Sequence, residues 1–133
     1  MRLIAFLMLA GLITLYSCDK NLEGKEYQFP FVELNHCSDT SIDGHRIQIC
    51  FDSVYDSRCP LNMECVWQGE AVVKLTLNTG GQHQSFKLST MNHPPAFPND
   101  TIISGYKIKL VSVSPYPGDN SHSPYRVELL VTR

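Results

Sequence analysis

Cysteine is the residue type with the most chemistry on offer in this 133-residue chain, which holds five of them. Thiolates can ligate metals, act as nucleophiles or pair as disulfides. Metal ligation would need partners at matching spacing. His36, His45, His83, His93 and His122 are scattered over polar stretches, and no two sit at the spacing of a zinc pair. No serine lies in a nucleophile-elbow context and no carboxylate pair stands out. A triad built from distant residues would leave no motif, but nothing in the pattern points to one. The residues therefore offer no catalytic site, no metal site and no cofactor site, and the expectation is a protein that is not an enzyme.

Pairing is what remains for Cys37, Cys50, Cys59 and Cys65. In an exported domain, four cysteines imply two disulfides with three possible connectivities. Asp43-Gly44 is a strong two-residue hairpin signal, and Cys37 and Cys50 are equidistant from its centre. Counting outward from Ile42 opposite His45 places the two cysteines on a non-hydrogen-bonded pair, where Cα atoms approach to about 4.5 Å. A disulfide spans that separation. Cys59 and Cys65 would then close a small loop through Pro60 to Glu64. The weak strand character of Ser38-Asp39-Thr40-Ser41 is the point against a tight hairpin.

The second loop carries the candidate binding residues Arg58, Leu61, Met63 and Trp67. A disulfide-closed loop loses less entropy on binding, and Arg and Trp are enriched at interface hot spots. Three readings fit. As a plain staple, Trp67 packs on the core and Arg58 pairs with Asp52 or Asp56. As a binding surface, the loop shows these side chains to a partner. As an inhibitor of a secreted serine protease, Arg58 beside Cys59 leads a reactive loop.

Strands must position these residues. Tyr27 to Leu34 has β-type composition, with Pro30 demoting it to an edge. Ile47, Ile49 and Phe51 alternate with Gln48, Cys50 and Asp52, and Ala71, Val73, Leu75 and Leu77 share one face. Asn78-Thr79-Gly80-Gly81 turns the latter strand into Gln82–Leu88, with Phe86 and Leu88 inward. Met91 to Asp100 holds three prolines and is predicted irregular. Tyr106, Ile108 and Leu110 start another strand, and the shift of the apolar face to Val111 and Val113 suggests a bulge. Tyr116 to Pro124 reads as a mobile loop, and Tyr125, Val127, Leu129 and Val131 alternate to the end. No helical period is present. The predicted fold is all-β, a small antiparallel sandwich, with a small barrel as the alternative.

The first residues have a different character. Leu3 to Leu15 is apolar behind Met1-Arg2, matching the hydrophobic region of a signal peptide. It is shorter than the roughly 20 residues of a spanning helix. Leu15-Tyr16-Ser17-Cys18 resembles the lipobox of bacterial lipoproteins. That resemblance implies removal of residues 1–17 and a lipid on Cys18, with stable anchoring if two or more acyl chains are attached. Residues 18–26 would be a polar tether and 27–133 one β-domain. The net charge of −2 and the lack of a basic patch argue against nucleic acid. The expected partners are the membrane, through the lipid, and an envelope protein or glycan. The outer membrane or the periplasmic face is expected over the inner membrane.

The run Phe51-Asp52-Ser53-Val54-Tyr55-Asp56-Ser57-Arg58-Cys59-Pro60, followed by Cys65-Val66-Trp67-Gln68-Gly69, resembles a motif of small lipoproteins in Bacteroidetes-type bacteria. The Gly105-Tyr106 strand ending in Pro115-Tyr116-Pro117 is similar as well. The resemblance implies class and location and carries no activity. Asp52-Ser53-Val54 and Asp100-Thr101-Ile102 also resemble the acceptor of Bacteroidetes O-glycosylation, with Thr101 the better candidate. Lipidation has a direct test. Cys18→Ala is expected to abolish incorporation of a labelled fatty acid and to move the protein from the membrane fraction to the soluble one. Unchanged labelling would overturn the assignment of Cys18.

Overall fold

Period-two apolar patterning becomes strand throughout. The computed structural model describes residues 24–92 and 97–133, so the Leu3–Leu15 run, Cys18 and His93 lie outside the described residues. The strands are β1 (Glu26–Glu33), β2 (Cys37–Ile42), β3 (His45–Asp56), β4 (Ala71–Thr79), β5 (Gln82–Ser89), β6 (Asp100–Ile103), β7 (Tyr106–Ser114) and β8 (Arg126–Thr132). They form two antiparallel sheets with orders β1-β8-β7-β6 and β2-β3-β4-β5. The inward residues of both sheets meet in one core. Phe29, Ile108, Leu110, Val127, Leu129 and Val131 come from the first sheet, and Ile47, Ile49, Phe51, Val73, Leu75 and Leu88 from the second. This is a β-sandwich.

Three two-residue turns gather at one end. Asp43-Gly44, Gly80-Gly81 and Ser104-Gly105 all have positive φ at both positions, the backbone whose twist matches that of paired strands. Gly24, the first described residue, packs against Thr132 and Arg133 at this same end. The Tyr27 hydroxyl donates to Asp43 Oδ1 at 2.8 Å, and Ser104 Oγ donates to Gln84 Oε1 at 3.0 Å, so each contact ties the two sheets together at the turn end. The long connections, Ser57–Glu70 and Pro115–Tyr125, lie at the opposite end.

The strand sequence runs around the molecule in order, as in a meandering barrel, yet among the described residues no ladder closes either corner. At the β1/β2 corner the chain crosses between sheets through Leu34–His36. There Leu34 N donates to Tyr125 O, while Asn35 N donates to Phe51 O and His36 O accepts from Phe51 N. At the β5/β6 corner Asn99 does the joining. Its Nδ2 donates to Ser89 O in one sheet and to Leu110 O in the other, and its carbonyl accepts from Leu110 N. The barrel alternative is therefore not realised: side chains and single bonds bridge the corners where ladder bonds would be needed.

Two irregularities fall where the sequence marks them. The β1/β8 register shifts between Phe29 and Val32, around Pro30, on a strand that is an edge. The β7/β8 register shifts between Leu110 and Ser112, leaving Val111 exposed and Val113 buried. Strand β6 is not among the strands expected from the sequence, where the next strand after Leu88 starts at Tyr106.

The Cys37–Cys50 disulfide forms on the outer face, where the two residues are in register and their Cα atoms are 3.9 Å apart. It holds β2, an edge strand of poor strand formers, onto β3. Replacing both cysteines with serine is expected to cost about 3 kcal/mol, the scale for a loop of this length. Urea denaturation would measure the loss, and hydrogen exchange should show β2 amides losing protection before those of β3. Equal loss across both strands would contradict this role.

Candidate functional site: a disulfide-closed lobe

Beyond Asp56 and before Ala71 the chains of β3 and β4 stay together as a narrow neck. Ser57 N donates to Glu70 O at 2.8 Å and Cys59 N donates to Gln68 O at 2.8 Å. Ser57 Oγ adds a bond to the Glu70 carbonyl and accepts one from Glu70 N. Gly69 is required here. Its φ is +70°, and a Cβ would fall on the Ser57 carbonyl oxygen, so both backbone conformation and space exclude a side chain. Beyond the neck, the Cys59–Cys65 disulfide closes the head, with its Cα atoms 6.0 Å apart.

Arg58 anchors the lobe to the sandwich. Its side chain is 8% exposed and that of Asp56 is 6% exposed. The guanidinium meets the carboxylate in a two-bond fork, Nε to Oδ1 at 2.9 Å and Nη2 to Oδ2 at 2.6 Å. The remaining donors reach the other sheet: Nη1 to Val113 O at 2.8 Å and Nη2 to Pro115 O at 3.1 Å. The group also lies 4.5 Å from the centre of the Tyr116 ring, a favourable cation–π distance. Asp56 accepts a further bond from the Tyr125 hydroxyl at 3.1 Å. One guanidinium thus joins the exit of β3, the end of β7 and the loop that follows it.

The start of that loop is consequently held in place. Leu61 N donates to Pro117 O at 2.9 Å, and a Cβ on Gly118 would meet the Leu61 backbone. Of the Tyr116–Pro124 segment, expected from the sequence as a mobile loop, the first residues are tied to the lobe by these contacts.

The four candidate binding residues separate. Leu61, Met63 and Trp67 are exposed, Trp67 at 63%, and Val66 beside it is fully exposed. Arg58 is instead buried against Asp56. An inhibitory loop led by Arg58 needs a projecting guanidinium, whereas here four of its five N–H donors bond to Asp56, Val113 and Pro115, so Arg58 takes the internal pairing with Asp56 that the staple reading names and not the binding role. Trp67 in turn does not pack on the core, as a plain staple would have it. The apolar members of the set form the surface. Val66 was the residue the sequence reading missed, and only its position next to Trp67 signals it.

The two proposed glycosylation positions change rank. Ser53 is exposed, while Thr101 is half-buried and pairs with Ile108, whose side chain points into the core. Among the described residues, no group of three or more His, Cys, Asp or Glu could hold a metal ion. No family model, curated protein or solved structure matches the chain. What the geometry defines is an open β-sandwich with a rigid, apolar-tipped lobe at one end.

Burial pushes the Asp56 carboxyl up, but the hydrogen bonds and charge of Arg58, with the Tyr125 hydroxyl, outweigh it and hold the group below the ordinary aspartate value. Burial and the Asp56 charge push the Tyr125 hydroxyl up. A carboxyl whose folded pKa is depressed contributes stability above its unfolded pKa, about 3.9, and loses it as pH falls through the lower folded value. Asp56→Asn leaves the guanidinium without its counter-charge and is expected to cost about 3 kcal/mol at neutral pH. The gap between variant and native protein should narrow as pH drops below about 4. Urea denaturation at a series of pH values tests this, and a gap independent of pH would refute it.

Proposed function

We propose that the protein is a non-enzymatic binding module of a bacterial cell envelope, lipid-anchored through Cys18, that presents the Cys59–Cys65 lobe to a protein partner. The observation that carries this reading is the exposure of Leu61, Met63, Val66 and Trp67 on a lobe whose base is rigid. Apolar side chains held out to solvent cost nothing in folding if they are few, but they suit a surface that a partner will cover. The disulfide, the neck and the Arg58 clamp set the lobe's shape beforehand, which lowers the ordering cost of association. Trp67, exposed beside the closed head, is the residue type that dominates interface energies.

Direction supports the same reading. The chain enters the domain at Gly24, at the turn end, and the lobe is at the other end. The strands between them make this on the order of 20 Å. A lipid at Cys18 would then face the lobe away from the membrane. The Asp56-Ser57-Arg58-Cys59-Pro60 run resembles a motif of Bacteroidetes-type lipoproteins, and its residues are the ones that build the lobe.

A photo-crosslinking residue placed at Val66 in living cells tests the proposal. One discrete protein adduct is expected at Val66 and none at Lys107, on the outer face near the turn end. Met63→Ser with Trp67→Ser should remove the adduct while leaving the urea midpoint within about 0.5 kcal/mol of native, as for other surface changes. Equal adducts from both positions, or no adduct from Val66, would exclude the lobe as the docking surface.

A further inference from the structure

The outer face of the second sheet carries a different kind of surface. Cross-strand register places Asp39, Gln48, Asn78 and His83 in one row over all four strands. The row is internally bonded. Asn78 Nδ2 donates to Gln48 Oε1 at 2.9 Å, and Asn78 Oδ1 meets His83 Nδ1. With Nδ1 as the donor to that carbonyl oxygen, His83 Nε2 is an acceptor. Among the described residues, neither Gln48 Nε2 nor His83 Nε2 has a protein partner. Arg46 extends the row toward the turn end, paired at 2.9 Å with Asp39 and largely exposed.

Arg46, Gln48, Asn78 and His83 line an open groove of about 380 Å³, with Gln82 and the Thr79–Gly81 turn as its wall. The composition of the lining is selective. It contains one guanidinium, three side-chain amides, an imidazole and a hydroxyl, with no carboxylate and no large apolar side chain. A protein or lipid surface would find nothing apolar to cover. Fixed amides and an imidazole presenting donors and an acceptor on one plane suit vicinal hydroxyls, and a guanidinium prefers a carboxylate, which it can hold by two parallel bonds.

We propose that this groove binds an acidic saccharide, a glycan whose sugars carry a carboxylate, with Gln48, Asn78 and His83 on the hydroxyls and Arg46 on the acid group. The site is separate from the lobe and does not depend on the lobe's role. The Asp39 contact holds the guanidinium beside the groove through Nη2 alone, and among the described residues the other donors of Arg46 have no protein partner and can meet a ligand carboxylate. Rows that are already bonded strand to strand need little reordering when a ligand arrives.

The test is a nuclear magnetic resonance titration of the mature domain with an oligogalacturonate, the matched neutral oligogalactoside and inorganic phosphate. Saturable shifts confined to Arg46, Gln48, Asn78 and His83 are expected with the acidic oligosaccharide. The neutral one should bind about tenfold more weakly, the scale of one charge-assisted hydrogen bond. Arg46→Ala is expected to bring the acidic ligand down to the neutral level. Gln48→Ala should weaken both. Each variant's spectrum away from the groove should stay native, because these side chains lie outside the core. Absence of localised shifts, equal binding of the two sugars, or phosphate binding as tightly as the acidic sugar would each overturn the proposal.

Discussion

The guanidinium of Arg58 is the group on which one whole end of this protein depends. Two sheets packed face to face are joined by their core but not at their ends, where long connections have to be held by something other than ladder bonds. Here a buried cation supplies it, together with the Leu61 N to Pro117 O bond. Asp56 from the second sheet neutralises the charge, and carbonyls of Val113 and Pro115 from the first sheet take the other donors. Such a pair adds less net stability than its bond count suggests, since both charges are taken out of water. Its value is geometric. A planar fork with fixed donor directions leaves one arrangement of the surrounding backbone that satisfies all of it, whereas apolar packing would tolerate several.

That constraint explains why the five-residue run from Asp56 to Pro60 acts as a unit. Asp56 and Arg58 form the fork, and Ser57 between them points the other way to bind the facing strand at Glu70. Cys59 then starts the closed head, and the Pro60 carbonyl accepts from Met63 N at 3.3 Å to turn it. The second half of the motif answers the first. Cys65 closes the head, and Gly69 allows the returning chain to pass against Ser57. Trp67 is the exception, because it supports nothing within the lobe. A large aromatic held out to solvent among residues that otherwise build the lobe is where binding should be sought.

What could be read from the sequence was what is local. The Asp43-Gly44 turn fixes the β2/β3 register, and that register alone brings Cys37 opposite Cys50. Pro30 predicts an edge, and the shift of apolar residues from even to odd positions after Leu110 predicts the bulge at Val111. The details that escaped are those decided by how the sheets stack. Strand β6 has only four residues, too few to display a period, and it exists because β7 offers it a partner. The sequence narrowed the partner of Arg58 to two aspartates, but not its carbonyl acceptors, which lie more than fifty residues away. Thr101 looked like an exposed acceptor by its neighbours in sequence, yet its neighbour in space is Ile108 and it faces inward. The outward turn of Trp67 follows from the neck, whose bonds assign each residue a side.

The same stacking separates the two surfaces. The turn end is tight because three two-residue turns close it, and among the described residues no segment there is long enough to make a lobe. Sequence length is spent at the other end, where the loops are long enough to brace one another, Leu61 against Pro117. Apolar residues can be shown there because the clamp prevents the lobe from folding back to bury them. The outer sheet face meets the opposite demand. Its inward neighbours already form the core, so its own residues are free to be polar, and strand register aligns them into rows without extra backbone. A rigid apolar tip and a flat polar row are thus consequences of different parts of one design, the first of a buried charge and the second of period-two alternation. Changing Arg58 should therefore disturb the lobe and leave the Gln48–Asn78–His83 row intact, since no bond of the clamp touches that row.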